Sequence, residues 1–380
     1  MNFGKIIWDN PQVYLRHNQP DHPVCFFAPD VLRASFVDFQ AGFDGLVTYA
    51  VKANSQREVL ENLVASGLTA FDVASPAEIK AVRAVCQQAT LHYNNPVRSK
   101  AEIEFAREVN VSSYSVDSFS ELTKLAVIVP AKGIEVSVRL KLPVVGAAYD
   151  FGAKFGAGPE TCVALLKKVA QLGFTPSMTF HPGTQCKDPS AWATYIETVA
   201  KIAGAAGVGL HRLNVGGGFP SHRSGARPAL ALIFKAINQI MRTAFPTNPP
   251  KLVCEPGRAM VAEAFTLAAR IKAITDEDHV FLNDGIYGGL AELPTIEAND
   301  RVSVVTSDGI PVTGRKTSRV VFGPTCDSLD VLPGTTSLPQ NISEGDYVLF
   351  PGTGAYSFSL ATGFNGYGQI ETITVLSLTR

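Results

Sequence analysis

Between about residues 25 and 260 the chain repeats one pattern: a short apolar run, then an amphipathic run with a marked start. The apolar runs are LVTYAV, AFDVA, TLHYN, SSYSV, VSVRLKL, SMTFH, RLNVG and LVCEP. This alternation is the α/β signature, because strands buried on both faces need helices to cover them. Ser55-x-x-Glu58, Ser75-x-x-Glu78, Ser99-x-x-Glu102 and Ser118-x-x-Glu121 each read as a capping box that opens a helix. Pro76 and Pro159 suit the first helical position, and Gly67 and Gly173 sit where helices should stop. About eight strands separated by helices predict a (β/α)8 barrel in both count and length. A doubly wound open sheet is the rival arrangement of the same elements.

After about residue 265 the helical period is lost. RIKAI, HVFLN, RVSVVTSDG, SRVVFG, DYVLF and QIETITVLSL are short strand patterns broken by Gly, Pro and Asp. Ser307-Asp308-Gly309 is a hairpin signal. The chain therefore divides into a barrel over 26–263 and an all-β domain built from 1–25 and 264–380. Its 380 residues agree with two domains rather than one.

Composition narrows the partners. The net charge is -1 and there is no basic tract, so neither nucleic acid nor an anionic membrane is expected as the main partner. Six cysteines are scattered without a C-x-x-C, which suggests neither a zinc site nor a disulfide framework. No metal is expected. MNFGKIIWDNPQVYLRH is unlike a signal peptide, and no apolar run is long enough to span a bilayer. The expectation is a reduced, soluble, cytoplasmic protein.

Barrel enzymes keep their chemistry at the carboxyl ends of the strands. Those ends carry Lys52, Asp72, Asn94, Arg139, His181, Gly216-Gly217-Gly218 and Glu255. Each has a plain structural reading: a lysine can snorkel, a histidine can be a satisfied core residue, and Glu255 can pair with Arg258. Their common position at one end is harder to explain that way. LNVGGGFP places three glycines directly after a strand, where one would make a turn. Three suggest close backbone approach and exposed N–H groups that cradle an anion such as phosphate. It is neither a Rossmann nor a P-loop pattern. An amine, a phosphate nest and a carboxylate together suggest pyridoxal 5′-phosphate (PLP), held by a lysine, with an acid keeping the pyridine nitrogen protonated.

On these motifs the chain resembles the fold type III PLP decarboxylases of ornithine, diaminopimelate and arginine, over almost its full length. YAVKAN is similar to the family's PLP-lysine motif and implies Lys52 as the Schiff-base residue. FDVAS implies Asp72 near that lysine, and VSVRLKL implies Arg139 close to the cofactor. FHPGTQ implies His181 stacked on the ring, with Thr184 replacing the usual phosphate-binding serine. VGGGFP implies Gly217 and Gly218 in the phosphate loop. CEPGR implies Glu255 on the pyridine nitrogen, with Gly257 and Arg258 near the phosphate. GPTCDSLD resembles the segment that enters the neighbouring subunit's site in a homodimer. It implies Cys326 as proton donor and Asp327 on the substrate's distal amine. GAYSFSLATGFNGY implies Tyr356 on the phosphate and Phe364 in the substrate pocket. Tyr287 is expected beside the substrate, and Lys154 with Asp330 as an intersubunit ion pair.

The ornithine branch carries a Tyr-Asp pair after its NDGVYG-like sequence. That pair grips the substrate's distal amine; NDGIYGGLAELPTIEAND has none, so Glu292, or else Glu297, is expected to bind the substrate in its place, and Pro294 reshapes the segment. The expected reaction is α-decarboxylation of a basic amino acid, first L-ornithine to putrescine. Lysine, diaminobutyrate, diaminopimelate or a carboxylated polyamine are alternative substrates. An amino-acid racemase is disfavoured by Glu255 and Cys326. A non-catalytic PLP carrier is disfavoured by the complete β domain.

Overall fold

The computed structural model describes residues 6–143, 154–296 and 300–379. It forms two compact units. One comprises Phe36–Pro220 with Pro228–Gly257; the other comprises Met1–Ser35, Ser221–Arg227 and Arg258–Arg380.

The first unit is the barrel. Its strands in chain order are a first strand in two pieces, Leu46–Val47 and Tyr49–Ala50, then Ala70–Val73, Thr90–Tyr93, Ser113–Val116, Glu135–Arg139, Thr175–Thr179, Arg212–Asn214 and Lys251–Cys254. All pairs are parallel, and neighbours in sequence are neighbours in the sheet. The first strand is broken at Thr48. Leu46–Val47 pairs with the last strand and Tyr49–Ala50 with the second, so the sheet closes on itself. The Thr48 N–H and hydroxyl both donate to the Cys254 carbonyl, at 2.9 and 3.0 Å, which seals the break. Closure excludes the open doubly wound sheet.

The barrel interior is not purely apolar. Ser177 Oγ donates to Glu135 Oε1 at 2.5 Å, and Arg212 reaches Glu135 Oε2 at 3.1 Å and the His92 ring at 3.3 Å. Each buried charge in this layer has a partner, as its desolvation requires.

Three of the four expected helix starts hold. Ser99 and Glu102 make the full reciprocal box, with bonds of 3.2 and 2.6 Å. Ser75 and Ser118 cap with their hydroxyls alone. The Glu121 carboxylate instead accepts from the Arg98 N–H. Ser55 does not cap. The chain first makes one 3-10 turn over Val51–Ala53, and the helix starts at Arg57 after Gln56. Asn54 takes over locally, its Oδ1 accepting the Gln56 N–H at 3.0 Å. Gly67 and Gly173 lie just past helix ends with φ of 100° and 82°, which a side chain would oppose.

In the second unit, Val24–Phe27 lies between Phe265–Ile274, antiparallel, and Glu371–Thr374, parallel. Phe265–Ile274 continues to Tyr347–Pro351, and that strand to Ser303–Val305. The N-terminal segment thus belongs to this sheet. The hairpin signal is realised: Gly309, with φ 74°, closes a turn through a 2.8 Å bond to the Thr306 carbonyl. The helix Pro11–Asn18 was not anticipated, although Asn10 caps it and Pro11 is its first residue. Among the described residues no helix is long and apolar enough to cross a membrane.

Candidate active site

At the carboxyl end of the barrel, Lys52 sits on the 3-10 turn rather than on the strand itself. The turn is rooted from below, where the Tyr49 hydroxyl donates to the Asn54 carbonyl at 2.9 Å. Lys52 Nζ lies 3.7 Å from Asp72 Oδ2, and its side chain is 45% exposed while that of Asp72 is 3% exposed. The amine is therefore reachable, and the carboxylate that faces it is not free to leave.

Glu255 follows the last barrel strand and is buried. Its Oε1 accepts from Asn94 Nδ2 at 2.6 Å and from Asn214 Nδ2. Burial, and then the charge of Asp72, push its carboxyl up to about 8. Lys52, Arg139 and the Asn214 amide act in the opposite direction. Arg139 lies over the Phe155 ring at 5.2 Å; burial lowers its pKa, and Glu255, Asp117 and Asp72 counter that. His181 accepts the Gly183 N–H at Nδ1, 3.1 Å, which leaves the proton of a neutral ring on Nε2. Burial and the positive charges of Lys52 and Arg139 hold its pKa well below the usual histidine range.

The glycine loop is shaped by its neighbours. A Cβ on Gly216 would fall 2.2 Å from the Phe180 carbonyl oxygen, and one on Gly218 2.2 Å from that of Gly183. A Cβ on Gly217 would fall 2.7 Å from the Glu255 carbonyl oxygen and 3.2 Å from His181 Nε2. Three glycines are needed because the loop packs on adjacent strand ends, as well as for any anion it cradles. Gly257 packs likewise, 2.9 Å from a Cβ position to that of Ala53. Thr184 is half-buried beside this loop's contact at Gly183. An amine, a buried carboxylate, a neutral imidazole and a side-chain-free loop converge on one barrel end. This donor set fits a phosphorylated pyridine aldehyde; among the described residues no cluster suited to a metal is present.

The second unit carries its own groups. Arg258, directly after Gly257, makes a bidentate pair with Glu292, and its guanidinium lies 4.9 Å from the Tyr356 ring centre. Tyr356 has φ 63°, a left-handed backbone unusual for a tyrosine. The Tyr287 hydroxyl donates to Asp327 Oδ2 at 2.5 Å, and this bond holds the Asp327 carboxyl below its ordinary range. Phe364 packs on Tyr287, with ring centres 5.2 Å apart. Cys326 is exposed, its N–H donating to Asn365 Oδ1 at 3.0 Å. Asp330 is buried and accepts from the Ile286 N–H, the Thr325 N–H and the Thr325 hydroxyl. Lys154 lies over Phe155 in the barrel unit. Glu297 lies outside the described residues.

Glu292, expected to read substrate, is thus engaged with Arg258. Sequence reasoning did not single out Asn214. Its signal was an amide on the strand leading into the glycine loop. Asn94 was placed at the strand end but given no task.

Residues 31–262 match the family model described as pyridoxal-dependent decarboxylase, pyridoxal binding domain. The chain is 31% identical over 349 residues to a decarboxylase of Aspergillus flavus, covering 87% of this chain and 80% of that protein. It is 31% identical over 352 residues to the ornithine decarboxylase of Mus musculus, covering 87% and 75%. Its structure is similar to that of the arginine decarboxylase of Paramecium bursaria Chlorella virus. The TM-score is 0.84 at 25% identity, with 95% and 98% of the two chains covered.

Proposed function

Because the chain belongs to the pyridoxal-dependent decarboxylase family, within its basic amino acid decarboxylases, we propose that it removes the α-carboxylate of L-ornithine to give putrescine. The observation that supports a substrate with a distal ammonium is the Tyr287–Asp327 pair, which keeps a carboxylate ionised on a half-exposed segment, and the likeness to ornithine decarboxylase favours L-ornithine among such substrates. A substrate ammonium needs such a partner if it is to leave water.

Pyridoxal phosphate, when bound, supplies the electron sink for the pair released as CO2 departs. Lys52 would hold it through its amine, with Asp72 fixing where that amine points. The His181 ring, neutral and oriented by Gly183, offers a flat uncharged face to the cofactor. Glu255 keeps the pyridine nitrogen protonated. Gly217, Gly218, Gly257, Thr184, Arg258 and Tyr356 serve the phosphate, with Glu292 balancing the Arg258 charge. Arg139 places a positive charge among Glu255, Asp72 and Asp117. Cys326 delivers a proton to the substrate Cα after carboxylate loss, a task open to an exposed thiol that carries a transferable proton. Phe364 and Tyr287 wall the substrate side chain.

The β-rich part, residues 1–25 and 264–380, would reach the site of a partner subunit in a cytoplasmic homodimer. Lys154 and Asp330 are the candidate ion pair across that interface.

A second reading is a decarboxylase for another diamino acid. It is favoured by the engagement of Glu292 with Arg258, which occupies one of the two acids expected to meet a distal amine. CO2 release from a panel of L- and D-diamino acids, with products identified, separates the two. Turnover of L-ornithine to putrescine above all others is expected. Activity on diaminopimelate alone, or on no diamino acid, overturns the ornithine reading.

A further inference from the structure

Glu255 is gripped from two other strands of the barrel. Asn94 follows the strand Thr90–Tyr93, and Asn214 ends the strand Arg212–Asn214. Both amides donate to the same oxygen, Oε1. Among the described residues no donor meets Oε2.

The orientation of Asn214 is not arbitrary. Its Oδ1 accepts the Gly216 N–H at 2.9 Å, which obliges Nδ2 to face Glu255. The Glu255 N–H in turn donates to the Gly216 carbonyl at 2.9 Å. Three hydrogen bonds therefore close a ring through Glu255, Gly216 and Asn214. The carboxylate and the glycine loop cannot shift independently. Asn94 is held by its backbone: its N–H donates to the Val73 carbonyl at 3.1 Å, and its carbonyl accepts the Ser115 hydroxyl at 2.8 Å.

We propose that Asn94 and Asn214 are positioning residues, whose amides clamp Oε1 of Glu255 so that Oε2 is the atom presented to the cofactor's pyridine nitrogen. The inference rests on the reading of Glu255 as the ring carboxylate. Two neutral donors do here what a cation would do badly. An amide stabilises the carboxylate without adding a charge that would compete with a protonated pyridine. The groups facing Glu255 are Asp72, Lys52 and Arg139, and burial with Asp72 favours its protonated form. Removing the donors tips it further that way, and a neutral acid does not hold the ring proton. The Asn214 bridge also ties the pyridine end of the site to its phosphate end.

The test uses the isosteric variants Asn94→Asp and Asn214→Asp, which keep shape and remove a donor. Asn94→Ala is a third variant that adds no charge. Four quantities are measured on purified holoenzyme: the 15N shift of ring-labelled PLP against pH, the PLP dissociation constant, kcat and KM. Expected are a ring nitrogen that loses its proton at lower pH than in the wild type, PLP affinity weaker by ~10-fold, and a fall in kcat that exceeds any change in KM. Wild-type 15N profiles and affinities in all three variants overturn the clamp. Glu255→Gln tests the underlying reading separately. A wild-type ring-nitrogen profile in that variant overturns the assignment of Glu255 and the clamp with it. A shifted profile there with unshifted asparagine variants overturns the clamp alone.

Discussion

In the barrel the candidate site residues stand near the ends of strands that are buried along most of their length; in the second unit they stand on connections between short strands. Lys52, Asp72, Arg139, His181 and Glu255 all lie at, or no more than two residues from, the carboxyl ends of strands in the closed sheet. Cys326, Asp327, Tyr287 and Phe364 are held instead by local bonds such as Tyr287–Asp327 and Cys326–Asn365. The difference teaches that the barrel supplies placement by topology, while the β unit must build it bond by bond. Buried groups in the barrel also carry displaced pKa values, as at Glu255 and His181.

The largest test of that contrast pairs one substitution from each unit. Lys52→Ala should lower kcat/KM by at least ~10³-fold and abolish the covalent PLP label that borohydride reduction before denaturation leaves on the wild type, since a covalent anchor has no substitute. Cys326→Ala should leave PLP bound and lower kcat by ~10²-fold, the usual scale for a lost proton donor. PLP retention in Lys52→Ala, or PLP loss in Cys326→Ala, would break the division of labour.

A smaller effect concerns pH. The Glu255 carboxyl is raised from 4.5 to about 8, so between those values the folded protein binds more protons than the unfolded chain. Stability of the PLP-free protein should therefore fall as pH rises through this window. Glu255→Gln should flatten that fall by a few degrees in Tm between pH 5 and pH 8. Glu78 and Asp284, both pushed up to about 7 by burial, keep the remainder of the slope. Identical Tm slopes in wild type and variant would show that Glu255 is not the group responsible.

The smallest effect separates a true cap from an apparent one. Ser99→Ala should cost about 1 kcal/mol in urea unfolding, because a reciprocal box is lost. Ser55→Ala should cost less than about 0.5 kcal/mol, because no bond is lost there. Equal costs would contradict the cap geometry.

These pairs also show what could be read in advance. Strand count was legible, and with it the strand ends beside which Lys52, Asp72, Arg139, His181 and Glu255 stand, since burial on both faces writes itself into continuous apolar runs. Ser55 misled because a capping box is a local pattern, whereas the 3-10 turn at Val51–Ala53 is imposed where the barrel strand ends. Asn214 was passed over, and Asn94 was left without a task, because an asparagine's task depends on which side chain crosses from another strand. Glu292 was assigned to substrate because its pairing with Arg258 spans 34 residues of chain. The break at Thr48 had no signal: its hydroxyl bond compensates a seam that only the closed sheet creates.

Closure has a further consequence. A cylinder of strands has no rim to which a foreign strand can add, so the barrel is safe from edgewise growth. The β unit lacks this protection, as Ser303–Val305 and Glu371–Thr374 flank its main sheet. One flank is short. The other carries Glu371 and is partly covered where Trp8 bridges to Val375. Under partial unfolding, aggregation should therefore start from the flanks of the β unit, with a newly stripped Glu371–Thr374 as its template.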